Sequence, residues 1–454
     1  MRFAARSRSG FDMAGVPDEE LIKLGPWPGG LNNLSREAET PADQLRGAVN
    51  LDLPRDGHPQ TRAGYSLSIT TTRAHSLWHD GLFPFALYVD SGALKAFQPG
   101  DNPFTVQAGL ASTRDASYAL VTDRVYWSNG HDTGVVLSTG MPAPWGVETP
   151  AGQPTLTSTT AGALYPGNYQ VTITYLSATG EESGTGPAAL VSLPTGGGIG
   201  LSAIPQPVGT AVALIRVYLS GANGDGLYWS RDMPVGMTST TLTFSAEGKR
   251  LQTQFLDPMP AGQIVTLLNG RLYVAVNNML YWSEALRYGL TRLAMNRIRF
   301  PAALTLLTAV GEGTEGAGLY VATANAPPSS QGRTYFLAGP DPAQFAQRIV
   351  YGYGVIPGTS IRAAGSLFGL ESAVPVAYWI AANGIACLGL PEGQVTPIRE
   401  KQVVAPAADK GASLLREANG IRQIVTALDG SISRNLAVSD AAAATVYRNG
   451  VVLP

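Results

Sequence analysis

Four histidines, His58, His75, His79 and His131, are the side chains best suited to bind a metal or move a proton near neutral pH. His75 and His79 stand four apart around "SLW", a spacing that would put both on one face of a helix. No HExxH string occurs and no acidic ligand stands at helical spacing, so surface or structural roles are expected. Paired carboxylates are the other route to chemistry, since two of them flanking a glycosidic bond can hydrolyse it. Asp80, Asp90, Asp123 and Asp257 are spread over separate segments, where aspartates commonly serve as turn residues. The single cysteine, Cys387, lies in the apolar run "NGIACLGL" and reads as a buried, inert thiol. "GEGTEGAG" from Gly311 lacks the GK[ST] of a phosphate loop, and "PTGGGIGLS" from Pro194 lacks the helix and trailing acid of a dinucleotide fingerprint. No GxSxG elbow is present. No catalytic residue, metal ligand or cofactor is therefore expected, and the chain reads as a non-enzyme.

The elements around these residues are short. Alternating apolar runs bounded by Gly, Asn, Asp and Pro dominate, the pattern of an all-β protein. Helical periodicity is confined to "DEELIKL", "SEALRYGL" from Ser283 and "DKGASLLREA" from Asp409. Strand–turn–strand units recur around Tyr88, Tyr126, Tyr281, Tyr335 and Tyr378, separated by 38, 155, 54 and 43 residues. Three of these intervals lie near the period of about 40–50 residues found in β-propellers. A sixth unit is read from "NGIRQIVTALDGSIS". Several units carry an aromatic pair, Tyr126-Trp127, Tyr281-Trp282, Tyr335-Phe336 and Tyr378-Trp379. Such pairs could line a sugar or nucleic-acid groove, but blade core is the favoured reading; neighbours on a strand face opposite ways, so one member could pack and the other could face a neighbouring chain or a channel.

The long interval leaves about 110 residues after one period is removed, the size of a sandwich domain. "GNYQVTITYLSATGEESG" and "GTAVALIRVYLSGANGDGLYWSRDM" supply its alternating strands, with Tyr169, Ile173 and Tyr175 on one face. The expected fold is all-β: a β-propeller of about six blades, an inserted immunoglobulin/fibronectin-like β-sandwich and an extended N-terminal arm. The expected boundaries are 1–40 for the arm, 41–147 for the first part of the propeller, 148–260 for the sandwich and 261–454 for the second part.

Composition narrows the function classes. The 454 residues carry a net charge of −2, and no basic surplus advertises a nucleic-acid groove. One cysteine excludes an internal disulfide framework. The basic start, "MRFAARSRSG", has no apolar core of a signal peptide, and no run reaches the length of a spanning helix. A soluble protein made in a cytoplasm and not exported by the usual route is expected, with no integral membrane segment.

"GPWPGGLNNLS", from Gly25, and "LRGAVNLDLPRDGHPQTRAGY", ending at Tyr65, resemble the amino-terminal pattern of tail proteins of tailed bacteriophages. There a GG[LI]NN string leads into L-R-x-A-x-N-[VL]-D-[LV]-x-x-D-G-x-x-x-x-R-x-G-Y. The resemblance is to short-tailed phage nozzle proteins and related propeller-bearing components. It implies a virion protein assembled in the host cytoplasm: a homo-hexameric ring around the DNA exit channel, docked on an adaptor or tube protein and in contact with tail fibres. Genomic DNA would pass through without specific binding. A receptor-binding or glycan-cleaving tail propeller is the alternative. Trp27, Leu31, Asn32, Asn33, Arg46, Asn50 and Tyr65 are the expected subunit or partner interface. Asn32, Asn33, Arg46, Asn50 and Arg62 are expected to fix loops by side-chain to backbone hydrogen bonds. The hairpin turning at Asp56-Gly57 is expected either at the outside of the first blade or as the piece that closes the ring on the carboxyl terminus.

Overall fold

The computed structural model describes residues 25–48, 51–52, 56–61, 67–209, 211–325, 331–339, 341–418, 421–429, 444–448 and 451–453. The chain is all-β. Among the described residues the helical elements are four single-turn 3₁₀ segments, and none is long and apolar enough to cross a membrane.

Among the described residues six four-stranded antiparallel meanders occur along the chain, five of consecutive strands and one, the third, with the short strand Leu290–Thr291 intervening and pairing elsewhere. Sheet I holds Ala74–Trp78, Ala86–Asp90, Ala93–Phe97 and Phe104–Gln107, and sheet II holds Ser117–Val121, Arg124–Ser128, Thr133–Leu137 and Pro142–Ala143. Sheet III comprises Ile264–Leu268, Arg271–Val276, Met279–Trp282 and Arg297–Arg299, and sheet IV comprises Leu304–Val310, Gly318–Thr323, Thr334–Ala338 and Arg348–Tyr351. Sheet V is built from Ile361–Ala364, Pro375–Ile380, Ala386–Gly389 and Val395–Ile398. Sheet VI is built from Lys410–Ala418, Ile421–Asp429, Ala444–Arg448 and Val451–Leu453.

Each sheet packs on the next, and the strand alternation explains how. In Pro375–Ile380 the side chains of Ala377 and Trp379 join Leu306, Tyr320 and Phe336 of sheet IV. Val376, Tyr378 and Ile380 face the other way and meet Ile424 of sheet VI. A strand apolar on both faces is what a sheet sandwiched between two others requires. The aromatic pairs follow the same rule. Tyr126 packs toward sheet III and Trp127 toward sheet I. Tyr335 packs toward sheet III and Phe336 toward sheet V. Both members of these pairs are buried in the chain itself, as the core reading expects, and the alternative in which one faces a neighbour or channel gives way. Tyr281 is the exception: Trp282 is buried between sheets III and IV, whereas Tyr281 stays partly exposed.

Between sheets II and III lies a two-layered unit within the expected 148–260 segment. One layer orders Ala189–Leu193, Gly167–Ser177, Val212–Ser220 and Leu227–Pro234; the other orders Thr155–Leu164, Gly197–Ser202 and Thr240–Leu242. Tyr169, Val171, Ile173 and Tyr175 alternate into its core against Leu164, Ile199, Leu201 and Leu242, as the period-2 pattern predicts. The segment that leaves sheet II ahead of this unit is held tightly against a loop of sheet III. Trp145 donates its indole N–H to Tyr288 O at 2.8 Å, and Gly146 lies so close to Gly289 that a Cβ on the latter would sit 2.6 Å from Gly146 Cα.

Two helical expectations fail. "SEALRYGL" forms a hairpin turn with a bridge from Glu284 to Arg287. "DKGASLLREA" becomes the strand Lys410–Ala418, paired in register with Ile421–Asp429. A long cross-strand partner outweighs the modest helix propensity of its Leu, Arg, Glu and Ala residues. "DEELIKL" lies outside the described residues.

Candidate functional site

The residues whose types could do chemistry make local contacts. His75 and His79 are borne by the strand Ala74–Trp78 and its exit, not by a helix. His75 Nδ1 lies 2.8 Å from Ser76 Oγ and 3.4 Å from Asp115 Oδ1. His79 Nε2 lies 3.2 Å from Phe83 O, and His131 Nδ1 lies 3.3 Å from Asp132 Oδ1. Asp80 accepts from the backbone of Leu82 and Phe83 as a turn cap, and Asp123 pairs with Arg124. Asp257 sits in the two-residue strand that joins Leu290–Thr291. Asp90 accepts from Lys95 Nζ at 2.8 Å and from the amides of Arg73 and Thr72. The lysine bond foremost, then these amides, pulls its pKa down to about 2. Burial pushes the Cys387 thiol up to about 12. Among the described residues no group of three His, Cys, Asp or Glu side chains is placed to hold a metal.

The quoted opening segment is where distant parts of the chain converge. Gly30–Leu31 pairs in parallel with Gln44–Leu45, and Leu51–Asp52 pairs antiparallel with Gln60–Thr61. Gly57, at φ +75°, turns this hairpin, and its carbonyl accepts from Trp27 N at 2.8 Å. A Cβ there would lie 2.4 Å from Pro28 N, so the Asp-Gly turn needs its glycine twice over, for dihedral and for space.

Each candidate residue then has a definite place. Leu31 is 0% exposed, packed among Val376, Tyr378, Ile380 and Val403. Asn32 is buried. Its side-chain oxygen accepts from the amides of Leu34 and Ser35, and its amide donates to Ser35 Oγ and Gln44 Oε1. Asn33 is exposed yet clamps the far end of the chain: Nδ2 donates to Val404 O at 2.9 Å, Oδ1 accepts from Val404 N at 3.0 Å, and its own amide donates to Gln402 O. Trp27 is half-buried and Arg46 exposed. Asn50, Arg62 and Tyr65 lie outside the described residues. The structure brings Leu31, Asn32 and Asn33 together: Leu31 packs against the chain's own fifth and sixth sheets, Asn33 bonds to Val404 between them, and Asn32 bonds locally. Residues 25–40 are therefore part of the folded body rather than an extended arm, because a fully buried leucine and two asparagine amides fix them there.

The partners on the other side carry no motif. Arg399 donates to Gly29 O at 2.8 Å and to Gln402 Oε1 at 2.7 Å, with burial holding its pKa below the usual guanidinium value. Asp52 accepts from Gln423 Nε2 at 3.1 Å and lies 3.4 Å from Arg416 Nη1, which also donates to Gln423 Oε1. The hairpin thus lies against sheet VI. Chemically the assembly is a brace: buried apolar contact, backbone-directed amides and one charge-assisted cluster.

No protein-family model and no curated protein matches the sequence. Among solved structures, BBS1N in complex with ARL6DN is similar at 12% identity and a TM-score of 0.32, over 82% of this chain and 91% of that one. The N-terminal domain of Nup159 is similar at 11% identity and a TM-score of 0.22, over 78% and 72%.

Proposed function

We propose that the chain is a structural, non-enzymatic virion protein of a phage tail, a tail-nozzle subunit. In this reading the six sheets are the blades of a β-propeller, and the two-layered unit is an inserted immunoglobulin/fibronectin-like module. Six copies surround the DNA exit channel, and the ring docks on an adaptor or tube protein. The inserted module faces outward toward fibres or the host envelope.

One observation carries the reading. The residues that give the opening stretch its resemblance to tail proteins are those that build the brace: Leu31, Asn32, Asn33, Asp52 and Gly57 each make a contact that ties the amino-terminal segment together or to the last two sheets. A pattern serving that purpose fits a body that must stay closed under load. The engagement of His75, His79, His131 and Asp90 in local hydrogen bonds supports a non-catalytic role. The test is light scattering with negative-stain imaging of the purified chain, beside a screen for sugar release from host polysaccharide. Six-fold rings, or capture by a tail adaptor, support the proposal. A monomer that releases sugar overturns it.

A further inference from the structure

Sheet III carries an open basic notch that the brace and the tail reading leave unused. Between Glu284 and Glu312 the sequence has four arginines, Arg287, Arg292, Arg297 and Arg299, and no acidic residue, in a chain whose net charge is −2. Two are engaged. Arg287 donates to Gln252 Oε1 at 2.7 Å, and Arg292 lies 3.5 Å from Glu284. Arg297 and Arg299, on the outermost strand, are exposed, and neither is paired with a carboxylate among the described residues.

Register puts these two guanidinium groups on a common face. Arg299 stands opposite Met279 and Arg297 opposite Tyr281, while Leu280 and Ile298 face the other way into the core shared with sheet IV. The arginine-bearing face is the one turned toward sheet II. The outermost strand of sheet II is only the two residues Pro142–Ala143, which explains why Tyr281 stays half-covered when Trp282 is buried. The result is a shallow depression of about 410 Å³ lined by Asn278, Met279, Tyr281, Arg297 and Arg299.

We infer that this depression binds an acidic sugar residue, a single ring bearing an anionic oxygen group. Unpaired guanidinium forks favour carboxylate or phosphate. The Tyr281 ring and Met279 give an apolar floor for the C–H face of a sugar, and Asn278, whose Nδ2 donates to Phe300 O at 3.0 Å, leaves its side-chain oxygen at the rim as an acceptor. The dimensions suit one ring rather than a polymer track. Two arginines also make too few phosphate contacts to hold a nucleic acid at physiological salt. The inference stands independently of the tail-nozzle reading, because it depends only on sheet III.

The experiment is titration calorimetry on the full chain with methyl glucuronate, glucose 6-phosphate, inorganic phosphate, methyl glucoside and a thymidine oligonucleotide. Saturable binding of either or both acidic sugars is expected, the two identifying which anionic group is preferred, with neither the neutral glucoside nor inorganic phosphate competing. Arg297→Gln and Arg299→Gln should each weaken it by about tenfold or more. Both side chains are exposed, so the variants should unfold like the parent; Arg297→Lys, which keeps charge but loses the fork, should recover only part of the affinity. Equal binding of inorganic phosphate, tighter binding of the oligonucleotide, no saturable binding, or affinity unmoved in both glutamine variants would each overturn the inference.

Discussion

Replacing Asn33 with alanine should loosen one particular join. The substitution deletes both side-chain bonds to Val404, at 2.9 and 3.0 Å, and leaves the Asn33 backbone bond to Gln402 in place. A net hydrogen bond is worth about 0.5–1.5 kcal/mol. Because Asn33 is exposed and water competes, the lower half of that range applies, so the pair contributes about 1–2 kcal/mol. If local opening of the brace governs exchange, that loss converts to roughly 5- to 30-fold faster exchange of the Val404 amide. Hydrogen-exchange mass spectrometry of peptides spanning 30–34 and 402–405 reads this directly. Peptides from the central strand of sheet V, Pro375–Ile380, serve as the control. Acceleration confined to the two brace peptides is the expected result. Exchange at Val404 within about twofold of the parent, or equal acceleration in the control strand, would refute the reasoning.

Leu31→Ala should cost about 2–5 kcal/mol in urea unfolding, since a fully buried side chain leaves a cavity. Leu34→Ala, at a residue 48% exposed, should stay within about 0.5 kcal/mol of the parent. The Asp90 carboxylate has a folded pKa of about 2 against an ordinary 3.8. Its contribution is therefore complete above about pH 4 and is lost as pH falls toward 2. The stability gap between the parent and Asp90→Asn, measured by unfolding at stepped pH, should narrow over that window; a gap of constant size refutes the assignment. Cys387, with its thiol raised to about 12, should present about one thiolate in ten thousand at pH 8 and resist iodoacetamide until denaturant opens sheets IV and V. Rapid alkylation of the native chain would contradict its burial.

How much of this was legible in the sequence depends on the range of the interaction. Alternation along "GNYQVTITY" predicts which residues enter the core of the inserted unit, because the period-2 rule acts within one strand. The aromatic pairs marked the sheets and their core, but the sequence shows only that Tyr126 and Trp127 face opposite ways, not that another sheet covers each side. Lys410–Ala418 was missed as a strand because its partner, not its composition, decides it. The brace was half visible. "GGLNN" and "DG" mark turns and amide caps by local chemistry, whereas Arg399, Gln402, Val404 and Gln423 sit in stretches with no distinguishing pattern. Arg297 and Arg299 did leave a signal, the acid-free run of arginines from Glu284 to Glu312, but only strand register shows that two of them share a face with Tyr281.

The span of the brace bears on when it forms. Asn33 and Val404 are separated by 371 positions. Closing a flexible loop of that length would cost about 5 kcal/mol in chain entropy, growing as (3/2)RT ln n. Against this, burial of Leu31 contributes about 1.5–3 kcal/mol, the Asn33 clamp about 1–2 kcal/mol, and the Asp52 cluster with Arg416 and Gln423 about 1–3 kcal/mol. The opposing sums nearly cancel, so the brace gains little as the first long-range contact the chain makes. Packing of the intervening sheets must shorten the effective loop before residues 25–61 gain by docking. The amino-terminal segment, although synthesised first, is then among the last to settle and the first to open. That ordering is why the Asn33 substitution is expected to act locally, on exchange at the seam, while Leu31→Ala, which removes core shared with sheet V, lowers the stability of the body itself.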